Sequence, residues 1–391
     1  MTNAEIITCD ANNLIEAAQK IIKNSPNKSE TKQFALHELD EVNKAQEELH
    51  NRKWTITQKK PFILHERGHI RKVQGNIPYD RMIIHSYIDN VLTPLLQPYI
   101  IYDNYASQKN KGTDLARNRF RKFIHQAYRE YGNNEFYILL MDFSKFYDNI
   151  RHDFLKQLIM KYIPNDDKEF NEYMIDVILD SFKVDVSWMT DYEYSNCLSE
   201  KYVSLDHLYE KQLGEKYMRK SLNIGNQASQ LFSIFYPTPI DNYFKIVKGC
   251  HYYGRYMDDI ECISNDKNFL KKCLSEATCI ANKLGLFINQ KKTQIVKVKH
   301  NFKFLNRIYR LTDTGHLEEH LCRDSISREA RKLKKLQNLF LEGAKTYKEC
   351  HYQYRSWIIN YAKYMTTKQL NYLNSLYDKL FVNDWRDGVA N

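Results

Sequence analysis

The sequence predicts an α+β fold, and three observations carry that expectation. Residues 252–263 alternate apolar and polar side chains around two adjacent carboxylates, Asp258 and Asp259, as a hairpin of two short strands would. Residues 137–141 form a continuous apolar run that ends in Asp142, the pattern of a buried strand delivering an acid. Helical periodicity marks other stretches: Leu14, Ala17, Ala18 and Ile21 share one face of a helix over 11–23, and Ala330, Leu333, Leu336 and Phe340 share one face near the C-terminus. With 391 residues the chain can bury a sizeable core and is too long for one average domain.

The elements follow in order. Asp10 is placed to cap the first helix, residues 24–28 read as a turn, and 30–51 as a second helix. Residues 54–73 have strand character around a polar turn at 66–69, and 80–97 are helical. A loop over 102–112 opens a helix at Thr113 that carries Arg117, Arg119, Arg121, Lys122 and Arg129, either a phosphate track or a solvated face. After the strand at 136–142, Asp148 reads as a turn or cap residue before a helix at 151–163, and another helix spans 167–183. Residues 184–222 are polar and Tyr-rich with no sustained period, and so long a connection is either functional or disordered.

Gly225 permits close backbone approach, and Asn226 can cap the helix that starts after it. Residues 266–284 form a further helix. Asn306 tolerates the positive φ of a tight turn, and 312–315 is a turn between short strands. His316, Glu319 and His320 match the spacing of an inverted zinc-protease motif, but on a strand they do not align as ligands. Arg328, Arg331, Lys332 and Lys335 are spaced i, i+3, i+4, i+7, a basic stripe opposite the apolar one, which suits contact with a nucleic-acid duplex; a solvated face is the alternative.

Composition narrows the partners. Lys plus Arg number 58 against 48 Asp plus Glu, a net charge of +10 that favours a polyanion. The eight cysteines form no Cys-x-x-Cys pair, which argues for reduced thiols and against a zinc site or disulfide framework. The N-terminus has Glu5 and Asp10 and no apolar run, and no stretch reaches the roughly eighteen apolar residues of a membrane helix. A cytoplasmic protein with no membrane partner is expected.

An Asp-Asp pair alone is usually a solvated turn. A third carboxylate at the end of a neighbouring strand makes an oxygen-rich pocket suited to Mg²⁺, typically two ions about 3.5–4 Å apart, for in-line phosphoryl transfer.

The Tyr-Met-Asp-Asp box at 256–259, with Asp142 and with Tyr147 five residues beyond it, resembles the palm of a reverse transcriptase. The resemblance runs over roughly residues 35–365 and is nearest to prokaryotic enzymes: group II intron-like, diversity-generating and defence-associated. It implies a right-hand polymerase: an N-terminal helical segment (1–52), fingers (53–135), a palm (136–310) interrupted by an insertion at 184–222, and a helical thumb (311–391). It implies that Asp142, Asp258 and Asp259, with the Phe143 backbone carbonyl, hold two Mg²⁺ ions, with Mn²⁺ as a substitute. Lys292, or its neighbour Lys291, takes the place of the lysine that reaches the triphosphate and protonates the leaving group. Arg71 and Lys72 stand where the fingers bind phosphate, and Tyr147 where an aromatic ring excludes a 2′-hydroxyl. Gly225, Asn226 and Gln230 belong to a nucleotide-binding block, here in the Ile-Gly-Asn-x-x-Ser-Gln form of diversity-generating and defence enzymes. Residues 302–306 occupy the primer-grip position, and no ribonuclease H, endonuclease or integrase domain is expected.

The function expected is RNA-directed DNA synthesis, on a dedicated non-coding RNA in antiphage defence. Its partners are that RNA template, a DNA primer or product, deoxynucleoside triphosphates, and a partner protein or second copy of the chain. An error-prone diversity-generating enzyme and a template-independent or protein-primed polymerase are the alternatives. A catalytically dead binding scaffold is the rival from another class, disfavoured because it has no need of acids, gate and lysine together.

Overall fold

Asp10 starts the helix Ala11–Asn24 by accepting the Asn13 amide, and Leu14, Ala17, Ala18 and Ile21 are buried along its inner stripe, as expected from the 3.6-residue period. The computed structural model describes residues 1–57, 59–66 and 69–388. The chain divides into two units, one comprising Met1–Arg119, Leu139–Cys262 and Asn268–Gln294, the other Phe120–Ile138, Ile263–Lys267 and Ile295–Asn391.

In the first unit the expected helix at 30–51 is two, Ser29–Leu36 and Glu38–His50. The break is at His37, whose φ of −119° leaves the helical region, and Glu38, Asp40 and Glu41 then favour a fresh N-terminus. Strands β1 (Phe62–Glu66) and β2 (His69–Val73) pair antiparallel, with Leu64 opposite Arg71. Of the expected turn between them, Arg67 and Gly68 lie outside the described residues. Residues 78–99 are helical, with a π-helical turn at Ile88–Leu92.

Strand β3 (Tyr137–Met141) is buried at four of its five residues. The helices His152–Met160 and Lys168–Asp180 follow. Asp148 does not cap the first of them: Arg151 is at the N-cap, and the Asp148 carboxylate accepts instead from the amide and hydroxyl of Ser204.

The stretch without sequence period is ordered. Its neck is an antiparallel pair, β4 (Val184–Asp185) and β5 (Tyr217–Met218), and Val186, Cys197, Tyr202 and Met218 bury a small core beside Trp188. Within it the helix Asp191–Asn196 carries a full capping box from Thr190 and Glu193. Strands β6 (Tyr253–Tyr256) and β7 (Asp259–Ser264) form the predicted hairpin, and with β8 (Gln294–Lys297) the sheet order is β6-β7-β3-β8.

In the second unit β9 (Phe302–Phe304), β10 (Arg307–Leu311) and β11 (Leu317–Leu321) form an antiparallel sheet against which Phe120 packs edge-on to Phe302 and Tyr309. The β9–β10 turn has positive φ at Leu305 (42°) and Asn306 (62°), so Asn306 does occupy the left-handed region. The helices Arg323–Leu341, Tyr347–Tyr361 and Thr367–Gly388 share a core of Leu333, Leu336, Tyr354, Leu373 and Phe381. All eight cysteines are free thiols. Among the described residues no helix is long and apolar enough to cross a membrane.

Candidate active site

Strand β3 runs through the interior and releases Asp142 at its end, where the residue is 4 % exposed. Its backbone is fixed twice: the Asp142 amide donates to Thr293 Oγ1 (3.3 Å), and its carbonyl accepts from the Asn289 amide (2.8 Å). The bridge continues as the Ser144 amide donates to the Phe287 carbonyl (2.7 Å). This antiparallel pattern pairs Phe143 with Ile288 without using the Phe143 carbonyl, which faces away from the partner segment. The chain then turns through Lys145 at φ +52°, a strained conformation held by the Asn149 side-chain amide on the Lys145 carbonyl (2.9 Å).

The hairpin supplies the second acid. Tyr256 pairs with Asp259, so the turn is the two residues Met257 and Asp258, with Met257 at φ +55°. Asp258 sits at the tip of the turn, and Asp259 is the first residue of β7. Arg255 secures this geometry from inside. It is fully buried, grips Asp241 through Nε and Nη2 (2.8 and 2.7 Å), and donates to the Ile234 and Met257 carbonyls (2.7 and 3.1 Å). Gly254 is needed on the same strand because a Cβ there would meet the side-chain ends of Glu261 and Tyr105, both fully buried.

Burial, then the neighbouring Asp142 charge, raises the pKa of Asp258. Lys292 Nζ donates to Asp142 Oδ2 (2.8 Å). Burial works against its ammonium, but the bond to Asp142 and the charges of Asp142, Asp258 and Asp259 prevail, and its pKa is raised. Asp142 Oδ1 is buried with no hydrogen-bond partner. An orphaned carboxylate oxygen beside a second buried acid, countered by one ammonium, fits a hard divalent cation. Asp142, Asp258, Asp259 and the unused Phe143 carbonyl are the donors expected for it. Asp259, the first residue of β7, adds its charge to those of Asp142 and Asp258 at Lys292.

Asp258, Lys292, Phe143 and Tyr147 line a cavity of about 940 Å³ together with Arg71 and Lys72 of β2. Its charged lining is mainly basic: Lys59, Lys60, Arg71, Lys72, Lys145, Lys183 and Lys292 against Asp148, Asp185 and Asp258 among the described residues. Tyr147 is half-buried, its hydroxyl 3.1 Å from Ser233 Oγ, and burial pushes its pKa up. Burial pulls the Lys72 ammonium down, against the charge of Asp148, leaving a partly desolvated cation in want of an anion.

A family model described as reverse transcriptase (RNA-dependent DNA polymerase) matches residues 57–307. The chain belongs to the reverse transcriptase family. No curated protein sequence matches this reverse transcriptase. Among the solved structures that resemble it are two telomerases. One is apo telomerase from Candida tropicalis truncated from its C-terminal domain, at 15 % identity and a TM-score of 0.45, covering 72 % of this chain and 60 % of that one. The other is telomerase from Candida albicans with a TWJ fragment of telomeric RNA, at 12 % identity and a TM-score of 0.46, covering 87 % and 62 %. The reverse transcriptase described here thus spans about three fifths of the length of each.

Other expected site residues lie around this centre. Gly225 has φ +102°, and Asn226 caps the helix Gln227–Phe235 by accepting the Ala228 amide (2.8 Å). Neither lines the cavity, and Gln230 is exposed outside it; their neighbours Asn223 and Ile224 do line it. In the second unit of the reverse transcriptase, Arg331, Lys332 and Lys335 are exposed and Arg328 half-buried on the helix Arg323–Leu341, whose other face buries Ala330, Leu333 and Leu336. Arg255, Glu261 and Ser204 are absent from the sequence expectation. Arg255 and Glu261 flank the Tyr-Met-Asp-Asp box on the hairpin strands, the local signal these two offered.

Proposed function

We propose that this chain is an RNA-directed DNA polymerase that extends a DNA primer on an RNA template by divalent-metal-assisted nucleotidyl transfer. The observation that carries the reading is the buried, unpartnered Oδ1 of Asp142, with Lys292 on the other oxygen, beside Asp258, which with Lys292 lines a basic cavity. Two Mg²⁺ ions, or Mn²⁺ in their place, would be held by Asp142, Asp258, Asp259 and the Phe143 carbonyl, and would supply activation of the 3′-hydroxyl and neutralisation of the triphosphate. Arg71 and Lys72 take the phosphate oxygens, Arg71 in the bidentate manner of a guanidinium. Lys292 carries a proton within reach of the reacting phosphates and delivers it to the leaving pyrophosphate. The Tyr147 ring bars a 2′-hydroxyl, while Gly225, Asn226 and Gln230 frame the segment behind it. Arg328, Arg331, Lys332 and Lys335 hold the template–primer duplex by its phosphates.

The finer reading is a prokaryotic, cytoplasmic enzyme that copies a dedicated non-coding RNA in antiphage defence. It is supported by the Ile-Gly-Asn-x-x-Ser-Gln form of residues 224–230 and by the insertion at 184–222. Purified protein with Mg²⁺, an RNA template and a DNA primer should incorporate deoxynucleotides, and Tyr147→Ala should admit ribonucleotides at least about tenfold better, since a pocket enlarged by a phenol no longer rejects a hydroxyl. No incorporation under any metal, template or primer would sink the proposal.

A further inference from the structure

The 184–222 insertion touches the cavity through a short stretch of its own. Tyr202, Ser204 and Leu205 line the same space as Arg71 and Lys72. Two adjacent residues of the turn that carries Tyr147 bind this stretch. Asn149, fully buried, exchanges two hydrogen bonds with the backbone of Tyr202: its Nδ2 donates to the Tyr202 carbonyl (3.0 Å), and its Oδ1 accepts from the Tyr202 amide (2.8 Å). The same Nδ2 also holds the strained Lys145, so every hydrogen-bonding atom of the Asn149 side chain but one lone pair is engaged. Next to it, Asp148 Oδ2 accepts from the Ser204 amide (3.1 Å) and Oδ1 from the Ser204 hydroxyl (3.0 Å).

The other side of this stretch meets the phosphate-binding strand. The single 3-10 turn Ser204–His207 packs against β2, which carries Arg71 and Lys72. Strand β2 is held at its end as well, where Val73 forms a parallel bridge with Ile224. Lys72 and Asp148 lie within Coulombic reach of each other. The insertion cannot swing away easily, because its return segment is sewn to the palm. The Ser221 amide donates to the Ile150 carbonyl and the Leu222 amide to the Tyr147 carbonyl (2.9 and 3.0 Å), while buried Lys220 donates to the Glu200 carbonyl (2.6 Å).

We infer that the insertion is a brace for the nucleotide site: Ser204 locks Asp148 beside the sugar gate, and the turn it begins props β2 so that Arg71 and Lys72 are already in place for a nucleoside triphosphate. The inference rests on the polymerase reading for the identity of that ligand. Ser204 is a positioning residue; it acts through Asp148 and β2 and touches no reacting atom. A site arranged before binding loses less ordering entropy on binding, so the brace acts on nucleotide affinity and leaves the chemical step alone.

The test uses the full chain and compares Ser204→Ala, which removes one of the two bonds to Asp148, with Ser204→Thr, which keeps the hydroxyl. Tyr209→Ala serves as a control, at a 99 % exposed position of the insertion. Two quantities are read: KM and kcat for dTTP on an oligo(dT)-primed poly(rA) template, and the affinity for inorganic tripolyphosphate without divalent metal, by calorimetry. Ser204→Ala should raise KM about three- to tenfold, a part of what a hydrogen bond to a charged group contributes, with kcat within about twofold. Tripolyphosphate affinity should fall in parallel, Ser204→Thr should recover most of both losses, and the control should match wild type. Unchanged KM and tripolyphosphate affinity in Ser204→Ala would overturn the brace, as would a fall in kcat alone. Absence of polymerisation by the wild type would instead defeat the polymerase reading, and the tripolyphosphate measurement would still judge the brace.

Discussion

Two basic regions of this molecule are built on different principles. The cavity cations are set in a concave site with buried acids, and Lys292 is tied to Asp142 at 2.8 Å. The stripe Arg328–Arg331–Lys332–Lys335 stands on one helix face, mostly in solvent, over an apolar stripe that only anchors the helix. Partly desolvated charge at fixed positions acts on one ligand geometry and is weakly screened. Exposed charge on a helix follows any phosphate backbone, and its free energy comes from releasing counterions. The first kind should govern rate and choice of nucleotide, the second affinity and salt dependence.

The sharpest break of that contrast lies at the acids. Asp142→Asn or Asp258→Asn should cut single-turnover incorporation by roughly a thousandfold or more while leaving duplex affinity near wild type, since several kcal/mol of transition-state stabilisation reside there. Comparable loss of duplex binding in both would erase the distinction. Next in size is the support behind the cavity. Arg255→Met leaves the Asp241 charge buried without a countercharge, with the Tyr253 hydroxyl still donating to Oδ1 (2.7 Å), so the unfolding free energy should drop by about 3–5 kcal/mol, measured by denaturant titration. Replacing Asp241 by Leu in the same chain should return much of it, and no recovery would show that the cost lies in packing. For the stripe, changing all four residues to Gln should lower the salt slope of duplex binding by somewhat under one unit for each phosphate no longer neutralised, with the saturated single-turnover rate little altered. An unchanged slope would return the stripe to a solvated face.

The smallest effect tests the helix beneath the stripe. Glu329, 4 % exposed, has only Lys332 Nζ at 3.8 Å as an ionic partner on its own helix, and Tyr354 faces it from the next. Burial raises its pKa above the ordinary 4.5. Its contribution to stability is therefore fully present below pH about 4.5 and is lost as pH rises through the raised folded-state value. Glu329→Gln should abolish that loss. The variant should gain in unfolding free energy relative to wild type between pH 4 and pH 7, by an amount of order 1 kcal/mol or less, measured by denaturant titration at each pH. A constant difference across that range would mean that Glu329 does not change its proton binding on folding.

Much of this was legible because local rules carried it. Asp10 before an amphipathic run, Asn306 in a two-residue turn and Asn226 before a helix each act on neighbours two or three residues away, and the structure has each in its expected place. The convergence of Asp142, Asp258 and Lys292 was accessible only through family resemblance, because nothing local links residues 150 apart. The divergence of Asp258 from Asp259 was open to the strand period: once Tyr256 pairs with Asp259, only Met257 and Asp258 remain for the turn. The 184–222 stretch was opaque for a different reason. Its core is four residues, Val186, Cys197, Tyr202 and Met218, too few and too scattered to leave a period. Asp148 read as a turn or cap residue and does lie in the turn Tyr147–Asn149, but its partner Ser204, 56 residues away, left no local trace. The burial of Arg255 depends on Asp241, 14 residues earlier, which supplies its countercharge and which no local pattern links to it.

The crowding at Gly254 bears on how this lineage can change. Tyr105 and Glu261 together take up the volume of a β-carbon, and neither has solvent to retreat into. Most single-nucleotide exits from the glycine codon are therefore closed until one of those side chains has first been shortened. Drift at this strand must enter through position 105 or 261, and the order of the mutations is imposed by packing.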